Sequence, residues 1–172
     1  MSAAQINIRR LAHDNAADVA LYRDIRLEAL RNSPEAFGSA FEAENAQPIT
    51  WFADRLGSST VLAAFQGAAL VAMAGFAIQP GPKRAHKGLL WGMYVRPTAR
   101  QAGVGRQLVE AICDLARRHV ELIQLTVVHD NARARQLYAS LGFVDYGLER
   151  QALKHNGRYY DEVLMAKDLL AT

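Results

Sequence analysis

The rhythm of apolar and polar residues changes several times along this chain, and each change marks an element. Ile6 to Leu11 reads as a first strand. Val19, Leu21, Ile25, Leu27 and Leu30 follow helical spacing loosely. With Asp14 or Asp18 as its cap, they predict a helix running to about Arg31 and stopped by Ser33-Pro34. A short helix is expected from Pro48 to Leu56, with the proline near its first turn. The period then shortens. Val61 to Phe65 and Leu70 to Ile78, parted by Gln66-Gly67, predict a hairpin. Pro80 to Lys87 is a polar loop, and Leu89 to Val95 is a further strand ended by Pro97. Gly103 to His119 carries the strongest helical pattern, with Val104, Leu108, Ala111, Leu115 and His119 at three- and four-residue steps. Leu122 to Val128, rich in β-branched residues, is a strand. Asn131 to Leu141 is a short helix ended by Gly142. Two last strands, near Phe143 to Glu149 and Tyr159 to Ala166, flank an Asn156-Gly157 turn. The order of elements is mixed α/β, with no internal repeat and no shift in composition.

Composition narrows the class of protein. The 172 residues suit one domain spanning 1–172, and 51% hydrophobic with 22% charged residues is the balance of a globular chain. No apolar run approaches the ~18 residues of a membrane span; the longest, Ala68 to Ile78, is strand-sized. Met1 to Leu11 lacks the apolar stretch of a signal peptide. Cys113 is the single cysteine, so no disulfide can form within one chain. These features predict a cytoplasmic protein with no membrane partner. The net charge of +3 is dispersed, which argues against nucleic acid as a partner. Arginines do gather between Arg96 and Arg106, but they flank a turn and suit a small phosphate-bearing ligand better.

That turn is the first chemical signal. Val95 to Arg106 joins a strand to the strongest helix and carries Gly103 and Gly105. The first amides of a helix have no intrahelical partner and lie at the positive end of its dipole, so the turn is an anion site. A dinucleotide fingerprint would need a third glycine where Leu108 stands. A P-loop would need Lys-Ser/Thr where Arg106-Gln107 follows Gly105.

A second segment gives the anion a context. Arg100, Gly103 and Gly105 fit an Arg/Gln-x-x-Gly-x-Gly/Ala turn. One helix and one strand later, Asn131, Ala134, Leu137 and Tyr138 fit Asn-x-x-Ala-x-x-Leu-Tyr, followed by Gly142-Phe143. Together these motifs resemble the Gcn5-related N-acetyltransferase (GNAT) superfamily. The resemblance extends to Arg26-Leu27-Glu28-Ala29-Leu30, Pro34-Glu35-Ala36-Phe37 and the closing Asp161-Glu162 strand. It implies an α/β (α+β) fold: a mixed, mostly antiparallel sheet of roughly six to seven strands, flanked by about four helices and splayed between its fourth and fifth strands.

The resemblance also implies roles. The backbone of Met93, Tyr94 and Val95 would bond the pantetheine arm of acetyl-CoA, and Gly92 would form a bulge that starts the splay. The turn Arg100, Gln101, Ala102, Gly103, Val104, Gly105 and Arg106 would hold the pyrophosphate. Asn131 would both cap its helix and touch the cofactor. Tyr138 would protonate the departing thiolate, while amides near Met93 to Val95 stabilise the oxyanion. The strand before the turn has no acid, which leaves the base open among Glu28, Glu149, Asp161 and Glu162. The implied activity is acetyl transfer from acetyl-CoA to a primary amine of a small molecule by direct attack. A protein lysine or N-terminal amine acceptor, or a non-catalytic acyl-CoA sensor, remains the alternative. Phe37, Phe41 and Trp51 lean toward a partly apolar acceptor pocket. Homodimers are common among proteins of this kind, and no metal is expected from the spacing of His, Cys and acids.

Overall fold

The computed structural model describes residues 5–170. Part of the Met1 to Leu11 stretch and the end of the 1–172 span therefore lie outside the described residues.

Seven strands form one sheet in the order β1-β2-β3-β4-β5-β7-β6. In chain order they are β1 (Ile6–Arg10), β2 (Thr60–Gln66), β3 (Ala69–Ile78), β4 (Lys87–Val95), β5 (Leu122–Val128), β6 (Val144–His155) and β7 (Arg158–Asp168). Every neighbouring pair is antiparallel except β4 and β5, which are parallel. The β2–β3 turn places Gly67 at φ 61°, and the β6–β7 turn places Asn156 and Gly157 at φ 48° and 78°. These are the left-handed conformations that such hairpin turns require. The last two strands outrun the expected segments because their pairing continues through bulges, to His155 opposite Arg158.

Five α-helices cover the sheet among the described residues: α1 (Ala16–Asn32), α2 (Phe41–Asn45), α3 (Ile49–Ser58), α4 (Val104–Ala116) and α5 (Ala132–Ser140). The unexpected one, α2, is barely more than a turn and too short to show a period. The cap of α1 is Asn15, not Asp14 or Asp18. Its side-chain carbonyl accepts from the amides of Ala17 and Asp18. Asp18 is buried instead, where it takes two hydrogen bonds from Arg9 at 2.8 and 2.9 Å and one from the Ala12 amide at 2.9 Å. Asp18 is the third residue of α1, inside the helix and past the cap position, and its carboxylate is turned to Arg9 of β1.

The sheet separates two cores. On one face α4 buries Val104, Leu108, Val109, Ile112, Cys113 and Ala116 against Leu90, Ile123, Leu125 and Phe143. On the other, Tyr22 and Ile25 of α1 meet Phe52 and Leu56 of α3. Gly75 of β3 pairs with Trp91 of β4. A Cβ there would lie 2.2 Å from the indole Cε2. Gly75→Ala is therefore expected to cost about 1–3 kcal/mol through overpacking, read as a lower urea midpoint. Adding Trp91→Leu should restore most of the loss.

The feature that positions the site is where β4 and β5 part. They pair only from Lys87 to Leu89 with Leu122 to Gln124. Beyond, β4 carries a bulge: Met73 pairs with Tyr94 and Gly75 with Trp91, so Ala74 faces both Gly92 and Met93. Gly92 sits at φ 62°, a conformation costly for any other residue. The extra residue bends β4 away from β5 and leaves a wedge between two strand edges.

Candidate functional site

The wedge is the mouth of a cleft of about 1130 Å³. Its walls are β4, β5, the turn before α4, α5, the start of β7, the segment after α1, and Arg26 of α1 with Arg55 of α3.

At the turn end, Gln101 and Gly103 both adopt positive φ, 68° and 76°. The first helical bond of α4 is from the Gln107 amide to the Gly103 carbonyl at 3.1 Å. The amides of Gln101 to Arg106 thus have no hydrogen-bond partner among the described residues, and the succession of turn and helix start forms a concave row of donors. Gly105 is small for a separate reason: a Cβ there would press on Met93, Leu137 and Val95 at 3.3 to 3.6 Å. The arginine side chains are partly occupied. Arg100 Nε donates to the Val95 carbonyl at 3.0 Å, and Arg106 ties α4 to α5 through Ser140 Oγ at 2.7 Å. Met93, Tyr94, Val95, Arg100, Gln101, Gly103, Val104, Gly105, Arg106, Asn131 and Tyr138 all line the cleft. Ala102 does not; its side chain is exposed and only its amide belongs to the row.

At the middle, Asn131 caps α5 by accepting from the Ala134 amide at 3.2 Å. One face of α5 then carries Ala134, Leu137 and Tyr138 onto the cleft wall. Tyr138 is 5% exposed and packs edge-on against Phe143, with ring centres 5.7 Å apart. Its hydroxyl has no hydrogen-bond partner among the described residues. Burial alone raises its pKa well above the ordinary phenol value of about 10, so the ring stays a neutral donor throughout the working range. Tyr94 turns its side chain to the opposite face, where its hydroxyl donates to Glu28 and accepts from Asn32. The Arg96 amide, two residues on, donates to the Val71 carbonyl of β3 at 2.9 Å, so by strand alternation Met93 and Val95 turn their backbone groups to the wedge.

Upstream on β4, around Trp91 and Gly92, the wall carries two arginines that the sequence motifs did not single out as ligands. Arg26 of α1 is buried in a bidentate pair with Glu44, at 2.9 and 2.7 Å. Burial pushes the Glu44 carboxyl up, but the hydrogen bonds and charge of Arg26 outweigh it, and its pKa ends below the ordinary value. Arg26 Nη1 is left toward the cleft, 3.6 Å from where a Cβ on Gly92 would lie. Arg55 of α3 is stacked between Trp51 and Trp91, 4.8 and 5.0 Å from their ring centres, and its Nε donates to the Tyr22 hydroxyl. The Trp51–Arg55 spacing of four was the readable signal for this stack.

The sequence profile described as the acetyltransferase (GNAT) family matches residues 22–143. The chain belongs to the GNAT acetyltransferase family. It is 30% identical over 150 residues to an L-amino acid N-acetyltransferase of Escherichia coli, spanning 81% of this chain and 90% of that protein. By fold it is similar to the ribosomal-protein-alanine N-acetyltransferase of Brucella melitensis, with TM-score 0.75 and 26% identity over 94% of this chain and 99% of that one. The Salmonella typhimurium protein yncA, solved with its cofactor acetyl-CoA, gives TM-score 0.76 at 22% identity over 95% and 94% of the two chains. The GNAT fold expected from the motifs is the fold observed, splay included, and the chain is an acetyl-CoA-dependent N-acetyltransferase. Among the described residues no helix is long and apolar enough to cross a membrane, and no group of three His, Cys, Asp or Glu is placed to hold a metal.

Proposed function

We propose that this enzyme acetylates the primary amine of a small molecule that also carries a carboxylate, as an amino acid does. The observation that carries the acceptor class is the pair Arg26 and Arg55 on the Trp91–Gly92 side of the cleft. Arg26 is fixed by Glu44 and Arg55 by its two tryptophans, so both guanidinium groups are held before a ligand arrives. A planar guanidinium with free N–H groups is the natural partner of a carboxylate. The name of the Escherichia coli relative supports the same class.

In this reading the pyrophosphate of acetyl-CoA lies on the amides of Gln101 to Arg106, with Arg100 adding charge. The pantetheine arm runs along the exposed edge of Met93, Tyr94 and Val95, taking the pairing that β5 no longer offers. Asn131 borders it at the head of α5. The thioester then reaches Tyr138, and amides of the splayed strand meet the oxyanion. The acceptor enters from the arginine side, so donor and acceptor meet at the opening of the wedge.

The test is thiol release from acetyl-CoA with L-amino acids, their methyl esters, polyamines, aminoglycosides and short peptides. Turnover is expected with free amino acids and should drop sharply with the methyl esters. Preferred turnover of polyamines or aminoglycosides would overturn the carboxylate reading. Turnover of peptides alone would move the assignment to a protein amine.

A further inference from the structure

Acetyl transfer needs a group to take a proton from the acceptor nitrogen, and β4 supplies no acid. The structure separates the carboxylates that remain. Glu28 accepts from Arg96 Nε at 3.2 and 3.0 Å and from the Tyr94 hydroxyl at 3.1 Å, so it holds the end of β4 to α1. Asp161 accepts from the Gln151 amide at 2.8 Å and pins the β6 bulge. Glu149 is exposed on β6. Of the three acids on the cleft wall, Asp130 is paired with Arg158 at 3.0 Å, and Glu35 is exposed on the turn after α1. Glu162 is the third. It is partly buried and has no cationic partner among the described residues.

We propose that Glu162 is the base that takes the proton from the acceptor nitrogen. The proposal rests on the acetyl-transfer reading above. β7 places Glu162 opposite Val128 of β5, across the wedge from β4. The same face of β7 presents Tyr160 and Arg158 to the cleft. Several groups set its charge. Glu149 stands beside it in register on β6, and the Thr126 hydroxyl of β5 is near. Arg158 is neutralised by Asp130, and Glu35, Arg26 and Arg55 lie on the other walls. Burial first, then the Glu149 charge, raises the Glu162 carboxyl above its ordinary value, with Thr126 working against them. A raised carboxyl is a stronger base once ionised.

The step balances as follows. As the neutral amine forms its C–N bond to the thioester carbon, the carbonyl pair moves to oxygen and one N–H proton passes to Glu162. The oxygen pair then re-forms the C=O bond as the C–S bond breaks, the C–S pair leaves with sulfur, and the thiolate takes the Tyr138 proton. Glu162 gives its proton to solvent, and Tyr138 regains one.

The experiment compares wild type, Glu162→Gln and Glu149→Gln, using a weakly basic acceptor amine that is already neutral across the range. Wild-type kcat/KM should fall on the acid side at a pH above the ordinary carboxylate value of about 4.3. Glu162→Gln should lower kcat about 100-fold or more, abolish that limb and leave the affinity for acetyl-CoA nearly unchanged. Glu149→Gln should move the limb to lower pH, since it removes a like charge. A Glu162→Gln enzyme with near-wild-type kcat, or one that keeps the acid limb, would overturn the proposal. Should that variant fail to bind acetyl-CoA, an unmoved limb in Glu149→Gln would overturn it equally. A wild type that binds acetyl-CoA but turns over no amine would instead overturn the acetyl-transfer reading, and the role of Glu162 with it.

Discussion

Tyr138→Phe is expected to lower kcat by about 100-fold or more while acetyl-CoA binds almost as before. The substitution removes one oxygen and nothing else. The ring keeps its edge-on contact with Phe143 and its place on α5, and no protein hydrogen bond is broken among the described residues. Folding stability should therefore change little, which separates chemistry from structure. The leaving thiolate has a conjugate acid near pKa 8.5. A phenol can protonate it only if held against the sulfur in a site without competing water, and Tyr138 is buried on the cleft wall. Because burial pushes its pKa up, loss of the Tyr138 proton should produce no alkaline limb in the pH profile up to about pH 10. The checks are steady-state kinetics with a saturating acceptor and calorimetric titration of acetyl-CoA. An unchanged kcat would take Tyr138 out of the mechanism.

Arg26→Met should cost about 3–5 kcal/mol of stability, because it strands the Glu44 charge in a buried site. Against a total of roughly 5–15 kcal/mol for a domain, that is a loss of a third or more. Adding Glu44→Leu should recover most of it, since an apolar pair of similar volume needs no desolvation of charge. The acid dependence follows from Glu44. Its folded pKa lies below the ordinary value, so the pair contributes fully above about pH 4.3. That contribution is lost as pH falls through the folded value. The double variant should lack this acid-sensitive component in urea titrations. It should also show a raised KM for amino acids with acetyl-CoA affinity intact, because the proposed acceptor carboxylate would lose one of its two guanidinium partners.

The two motifs made the cleft wall proposed for the donor legible from sequence. Gly103, Asn131 and Tyr138 work through local geometry, a turn, a cap and one helical face, and local geometry is written in adjacent residues. The side proposed for the acceptor is different in kind. Arg26 and Arg55 come from α1 and α3, and Glu162 from β7. They meet on one cleft only because the strand order brings β7 beside β5 and the helices over β4. No spacing along the chain encodes that meeting. The cap of α1 failed for a related reason. Asp18 resembles a cap until it is seen to lie inside the helix with its carboxylate turned to the distant Arg9. The bulge at Gly92 could be anticipated, yet its partner Ala74 is fixed only by the register of β3.

The three-residue parallel contact between β4 and β5 has a thermodynamic corollary. It is the entire strand pairing between the β1–β4 and β5–β7–β6 portions of the sheet. On the proposed reading, a pantetheine arm bonded along Met93 to Val95 would act there as a surrogate strand, and ligand affinity would be converted into resistance to unfolding. At one hundred times its dissociation constant the ligand adds about 2.7 kcal/mol. The amides with most to gain in hydrogen-exchange protection are those of the open β4 edge. In a cell, the acetyl-CoA supply would then govern how long the enzyme survives as well as how fast it works.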